Sequence, residues 1–308
     1  MSSGILGLFP GQGSQKVGMG KELFETAEIA REIFDIADKV LGFPLSKLCF
    51  EGPAEELTAT AVAQPAILTV STIAYSLAAK ENPGLTLVAG AGHSLGEYSA
   101  LVSAEALTFS DAVSLVNKRG RYMQEAVPRG RGKMIAVLGK ELPELEDVLS
   151  NVKHGVAQIA NVNAPGQIVI AGDAAAVDEF TKLLPGAKII ELPVSAPFHC
   201  SLMKRAEESL AKDLAAISFK QCKFPVYANF TGRAVREPEE VRASLKNQVC
   251  GRVRWTECMT NSIAETTPSL SVEFGAGNVL AGLLKRIDPS LARKSVGSLA
   301  EAQALFRS

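Results

Sequence analysis

Short apolar runs closed by glycine-rich turns alternate with helical patterns along this chain. Ile5 to Phe9 is one such run, closed by Pro10-Gly11-Gln12-Gly13-Ser14. It predicts a buried strand feeding a glycine-rich loop, with a helix after it. Leu85 to Ala91 is a second, and it meets Gly92-His93-Ser94-Leu95-Gly96 before a helical pattern beginning at Glu97. Strand, sharp turn and helix follow in that order. Strands alternating with helices imply an α/β fold with a mostly parallel sheet, in which ligands lie beyond the carboxyl ends of the strands. Both glycine-rich loops fall at such ends.

From residue 133 the units shorten, between Pro128-Arg129-Gly130-Arg131-Gly132 and Pro193-Val194-Ser195-Ala196-Pro197. The pattern predicts strand Lys133 to Gly139, helix Glu141 to Asn151, strands Val156 to Asn163 and Gln167 to Gly172, helix Ala174 to Leu184, and strand Lys188 to Leu192. That order, βαββαβ, is the ferredoxin-like split. The α/β pattern then resumes with strand Pro225 to Phe230, helices near Glu239 and Trp255, strand Leu270 to Phe274 and helix Asn278 to Ile287. A discontinuous large domain, 1–127 with 197–308, therefore carries an inserted subdomain, 128–196. The cleft between them is the expected substrate site.

Composition changes this picture little. With 308 residues, 47% hydrophobic and 21% charged, the chain has ample material for a core. No apolar run approaches the ~20 uninterrupted residues of a membrane span, and the N-terminus lacks the pattern of a secretory signal. The expected location is the cytoplasm, or an organelle interior after processing. Five cysteines without a C-x-x-C pair read as free thiols, and no metal site is expected. A formal net charge of -1 suggests neither nucleic acid nor a membrane as main partner.

A lone G-x-S-x-G match arises about 0.1 times by chance in a chain this long. Its position at a strand-to-helix turn is what a nucleophile elbow requires; the alternative is a turn serine capping its helix. In the elbow geometry the Leu95 N–H faces a developing oxyanion, and the Gly11-Gln12-Gly13 loop is the best source of a second donor. Of the three histidines, His93 adjoins the nucleophile and should pack, while His154 should lie on the surface without polar company. His199, at the domain junction before a helix with Leu202, Met203, Ala206 and Leu210, is the candidate base, kept neutral by that helix N-terminus. Arg119 falls within the apolar stripe Ala112, Leu115, Val116, Tyr122, Met123 and Ala126 of a helix from Asp111 to Ala126. A buried guanidinium needs an anion, either a protein carboxylate or a substrate carboxylate. Lys118, Arg121, Arg129, Arg131 and Lys133 form a basic stretch that could meet phosphates, an acidic partner, or only solvent. A dinucleotide-binding reading is disfavoured, because no glycine loop here completes G-x-G-x-x-G/A.

Taken together, Phe9-Pro10-Gly11-Gln12-Gly13-Ser14-Gln15, Gly92-His93-Ser94-Leu95-Gly96-Glu97-Tyr98, Lys118-Arg119-Gly120, Asn163-Ala164-Pro165-Gly166-Gln167, Phe198-His199 and Gly275-Ala276-Gly277-Asn278-Val279-Leu280 carry a resemblance. They resemble the malonyl-CoA:acyl-carrier-protein transacylases of fatty acid synthesis, relatives of the acyltransferase domains of polyketide synthases, over the whole chain. The resemblance implies an α/β-hydrolase-like large domain with a ferredoxin-like insertion. It also implies a malonyl ester on Ser94, His199 as general base and acid, and an oxyanion hole from the Gln12 and Leu95 N–H groups. Arg119 would hold the malonyl carboxylate, and the main-chain carbonyl of Arg254 would orient His199. Asn163 and Gln167 would line the cleft, and the Phe198 ring would fill the space of a branch methyl, a preference of ~1–3 kcal/mol. Malonyl-CoA and acyl carrier protein would be the partners of a monomer that needs no cofactor. A serine hydrolase or thioesterase of the same fold, or a polyketide-pathway malonyltransferase, are the alternatives.

Overall fold

A computed structural model describes residues 4–128, 130–194 and 196–306. Arg129 of the basic stretch and Ser195 of the second connector lie outside the described residues. The chain begins with β1 (Ile5–Phe9), then α1 (Lys21–Thr26), α2 (Glu28–Leu41), α3 (Leu45–Glu51), α4 (Ala54–Thr58) and α5 (Thr60–Glu81). Next come β2 (Leu87–Gly92), α6 (Gly96–Ser103) and α7 (Phe109–Glu125). The inserted stretch holds β3 (Gly132–Leu138), α8 (Leu142–Ser150), β4 (Ala157–Ala164), β5 (Gln167–Asp173), α9 (Ala174–Leu183) and β6 (Lys188–Glu191). The chain ends with α10 (Lys204–Ala216), β7 (Val226–Tyr227), β8 (Ala234–Val235), α11 (Pro238–Gln248), α12 (Trp255–Thr266), β9 (Leu270–Phe274), α13 (Val279–Ile287), β10 (Ala292–Val296) and α14 (Leu299–Gln303).

The larger sheet runs β10-β9-β1-β2-β7-β8, parallel throughout except for the antiparallel edge strand β8. All of β1 is buried, as expected of a central parallel strand covered on both faces. One face packs on α2, α5 and α7, the other on α12 and α13. The expected strand Pro225 to Phe230 is cut to Val226–Tyr227, because the chain turns away at Asn229, whose side chain is needed at the elbow. Helix α5 qualifies the expectation about membrane spans. Its 22 residues contain an 18-residue window of mean hydropathy 1.4, enough in length and composition to cross a membrane, and 78% of that window is buried inside the protein. An apolar helix enclosed in this way is a core helix.

The smaller sheet runs β4-β5-β3-β6, antiparallel throughout, with α8 and α9 on one face. This is the strand order that the βαββαβ pattern requires. Its other face carries Met134, Ala136, Ala160, Val169 and Ala171 into the main core, so the two sheets share one apolar interior. The segment before α12 laces them further: the Val253 N–H donates to Ala160 O at 2.7 Å, and the Val162 N–H donates to Val253 O at 2.9 Å.

Candidate active site

The elbow between β2 and α6 is held from two directions. Ser94 adopts a left-handed backbone with φ 51°, which costs a non-glycine residue energy and persists only where its surroundings enforce it. Asn229 supplies that enforcement, accepting from the Ser94 N–H at 2.6 Å while its Nδ2 donates to Gly92 O at 2.7 Å. A Cβ on Gly96 would run into Phe9 O, and one on Gly11 into His93 O. These close approaches bring the loop after β1 against the elbow, so that Gln12, Ser94 and Leu95 line one cavity of about 430 Å³. Among the described residues neither the Gln12 nor the Leu95 N–H donates to a protein acceptor, leaving both available to a bound oxygen.

His199 enters this cavity from the connection before α10, also with a left-handed backbone, φ 60°. Its Nε2 lies 2.7 Å from Ser94 Oγ and its Nδ1 2.9 Å from the main-chain oxygen of Gln248. A carbonyl can only accept, so Nδ1 carries the hydrogen and Nε2 presents its lone pair to the hydroxyl. Burial pushes the ring down to about 3, and the charge of Arg119 acts in the same direction. Neutrality thus comes from burial rather than from the following helix, which is preceded by a 3-10 turn at Ser201–Met203.

The orienting carbonyl is a correction: it belongs to Gln248, not to Arg254. Gln248 ends α11, where the last carbonyls of a helix lack intrahelical partners and one is free to face the ring. The segment before Trp255 is used instead to join the sheets, with the Arg254 N–H on Asn229 O and its side chain on Phe230 O and Glu257, each at 2.9 Å.

Arg119 on α7 is buried, only 1% exposed. Its Nη1 donates to Gln64 Oε1 at 2.8 Å, and its Nη2 donates to Gln248 Oε1 at 2.9 Å and to Ser94 Oγ at 3.1 Å. Its carbon lies 5.4 Å from the centre of the Tyr98 ring, a cation–π contact. Among the described residues it forms no ion pair, so the protein-carboxylate alternative is not realised. Burial lowers its pKa, and Tyr98 and Glu97 oppose that shift.

The small sheet supplies the opposite wall with Met134, Asn161, Asn163 and Val169, and Phe198 closes the wall beside His199. Asn163 Oδ1 lies 2.8 Å from His93 Nε2, and the His93 ring packs 5.5 Å from that of Trp255. Gln167 is a second correction, for it does not line the cavity. It starts β5 beyond the hairpin, whose tip reaches α13: Arg286 donates to Gln167 Oε1 and to Pro165 O, each at 2.6 Å. His154 is exposed as expected, although Glu179 lies 3.9 Å away. The basic stretch is largely paired, Lys118 with Asp213 at 2.6 Å, Arg131 with Asp173 at 3.7 Å, and Lys133 with Asp178 at 2.8 Å and Glu191 at 3.0 Å.

Sequence reasoning missed Gln64, Glu97, Asn229 and Gln248. A signal existed for Gln64, a lone amide among the apolar residues of α5, by the same logic that singled out Arg119. Glu97 sits three residues after Ser94 on the elbow helix and is also buried. Nothing local marks Asn229 or Gln248.

The acyl transferase domain family matches residues 8–295 of this chain. The malonyl CoA-acyl carrier protein transacylase of Bacillus subtilis (strain 168) is 47% identical over 294 residues, covering 94% of this chain and 92% of its own length. The protein of that name from Escherichia coli (strain K12) is 41% identical over 288 residues, 92% of this chain and 93% of its own. Among solved structures, an acyl carrier protein S-malonyltransferase from Vibrio cholerae superposes with a TM-score of 0.94 at 39% identity, covering 98% of this chain and 100% of that one. A malonyl-transacylase in complex with a type II polyketide-synthase acyl-carrier protein gives 0.94 at 38% identity, with 98% of each chain covered.

Proposed function

This chain belongs to the acyl transferase domain family, and from that premise we propose that it moves a malonyl group from CoA to the pantetheine thiol of acyl carrier protein, through an ester on Ser94. The observation that carries the reading is Arg119. A buried guanidinium without a protein carboxylate, 3.1 Å from the Ser94 hydroxyl, is a receptor for a carboxylate attached to the acyl group being transferred.

In the first step His199 Nε2 takes the Ser94 proton as Oγ attacks the thioester carbonyl. The carbonyl oxygen becomes an oxyanion facing the Gln12 and Leu95 N–H groups. The carbon–sulfur bond breaks, and the CoA sulfur leaves with the proton from His199. The second step runs in reverse: the acceptor thiol gives its proton to His199 and attacks the ester, and Ser94 regains its hydrogen. No metal or organic cofactor takes part in these steps. The Phe198 ring narrows the wall where a branched acyl group would need room. We take residues 128–196 as the inserted unit and the chain as a cytoplasmic monomer without nucleic-acid or membrane partners. Supply of malonyl groups to fatty acid synthesis is the role we assign to this transfer.

Brief mixing with malonyl-CoA followed by intact-protein mass spectrometry should give a malonyl adduct mapped to Ser94, absent in Ser94→Ala and discharged by a thiol acceptor faster than by water. Arg119→Ala should lower malonyl transfer by roughly a hundredfold, the loss of a buried charge-assisted contact, and acetyl transfer far less. Equal losses for the two acyl groups would remove Arg119 from carboxylate recognition.

A further inference from the structure

Beneath the reacting pair lies a buried carboxylate for which the mechanism above has no use. Glu97 is 1% exposed, and its Oε2 accepts from the Asn229 N–H at 2.8 Å and from Gln248 Nε2 at 2.7 Å. Gln248 Nε2 also donates to Ser94 O at 3.0 Å, while Gln248 Oε1 accepts from Arg119 at 2.9 Å. An amide can be turned end for end, and the reversed Gln248 would point its NH2 group at the Arg119 guanidinium. Glu97 Oε2, which already accepts from the Asn229 N–H, meets the NH2 end whether or not the other oxygen is protonated, and so fixes the Gln248 oxygen toward Arg119.

We propose that Glu97 is a positioning residue: through the side chain of Gln248 it sets the acceptor that aims Arg119, and thereby the selectivity for an acyl group bearing a carboxylate. The inference rests on the malonyl-transfer reading. Its physical basis is the chain of contacts Glu97 to Gln248 to Arg119 to Ser94, every link of which is a hydrogen bond. Glu97 itself touches neither hydroxyl nor imidazole; its effect on acyl choice is exerted through Gln248. The contact that holds His199 is made by the Gln248 main-chain carbonyl, while the contact to Arg119 is made by its side chain, so the ratio of malonyl to acetyl transfer reads the second.

The test measures Ser94 acylation by malonyl-CoA and by acetyl-CoA in the intact protein and in Glu97→Leu, Glu97→Gln, Gln248→Leu and the double variant Glu97→Leu/Gln248→Leu. Loss of the oriented acceptor should reduce malonyl kcat/KM about tenfold in Glu97→Leu, mostly through KM, with acetyl kcat/KM falling less than about threefold. Glu97→Gln, whose oxygen can still accept from Gln248, should recover most of the malonyl preference. The double variant should be no less selective than either single one, since both interrupt the same chain. Parallel losses for the two acyl groups, or additive losses of selectivity in the double variant, overturn the proposal. If Glu97→Leu fails to fold, Gln248→Leu carries the same test: its malonyl kcat/KM must fall several-fold more than its acetyl kcat/KM, and an unchanged ratio of the two overturns the proposal. Wild-type protein that forms no malonyl ester would sink the underlying reading and this inference with it; a wild-type ester with unaltered preference in the variants sinks the inference alone.

Discussion

As the proposed base, His199 is suited to a wide pH range because its ring is held neutral by its surroundings. Burial and the nearby guanidinium push it down to about 3, so it remains a proton acceptor where an ordinary histidine, at about 6.5, would be charged. Acylation kcat/KM is expected to stay on its plateau from about pH 8 to about pH 5; a decline centred near 6.5 in stopped-flow acylation would contradict this. Glu97 titrates in the opposite sense. Burial pushes its carboxyl up to about 7, against the hydrogen bonds from Asn229 and Gln248 and the charge of Arg119. The folded protein then holds a proton that the unfolded chain, with its ordinary carboxyl near 4.5, has released. Stability linked to this group is full below about 4.5 and is lost as pH rises through about 7. The melting temperature of Glu97→Gln relative to wild type should therefore be higher at pH 8 than at pH 5, and a difference independent of pH would refute the assignment.

What could be read at this scale depended on whether a residue's oddness was local. Arg119 broke an apolar stripe, and Ser94 sat between glycines at a turn; both stood out in the sequence. Gln248 holds His199 through a main-chain oxygen at a helix end, a role that any residue type could fill, so this role leaves no mark in the sequence. The resemblance alone therefore points to the carbonyl of Arg254, whereas the one that faces the ring is that of Gln248.

At the level of elements, the elbow depends on β1 and β2 lying side by side in parallel register, with Phe9 opposite Gly92. The Gly96 backbone then passes against Phe9 O with no room for a side chain. Gly96→Ala should cost about 3 kcal/mol or more, since the obstacle is main chain and cannot rotate away, and urea denaturation will show it as a lower midpoint. The short strands that feed loops were legible because their apolar runs end at glycine, and β1 and β9 carry the expected bounds. Strand β10 was not expected. Its sequence, Ala-Arg-Lys-Ser-Val, is that of an exposed edge strand whose pairing to β9 comes from the sheet rather than from its own apolarity. The one helix expected after the first loop stands as five between Lys21 and Glu81, several of them too short to establish a period.

Across the whole molecule, the alternation of strands and helices announced an α/β sheet with an antiparallel insertion, but not how tightly the two are joined. Met134, Ala160 and Val169 extend the main core into the small sheet, and Val253 bonds across the gap. Opening the cleft would break both. Unfolding should therefore be a single event: fluorescence of Trp255, the only tryptophan and fully buried in the large unit, should change together with far-ultraviolet circular dichroism. Separate midpoints would mean that the insertion melts independently.

The peptide oxygen behind His199 has a chemical consequence of its own. It steers the imidazole without adding formal negative charge, so the cation formed in mid-reaction receives less help than an aspartate would give it. Such a pair is adequate for a leaving group as ready to depart as a thiolate and poor for an amine that must be protonated to leave. In the proposed exchange both donor and acceptor are thiols, so the missing charge behind the ring costs the reaction little.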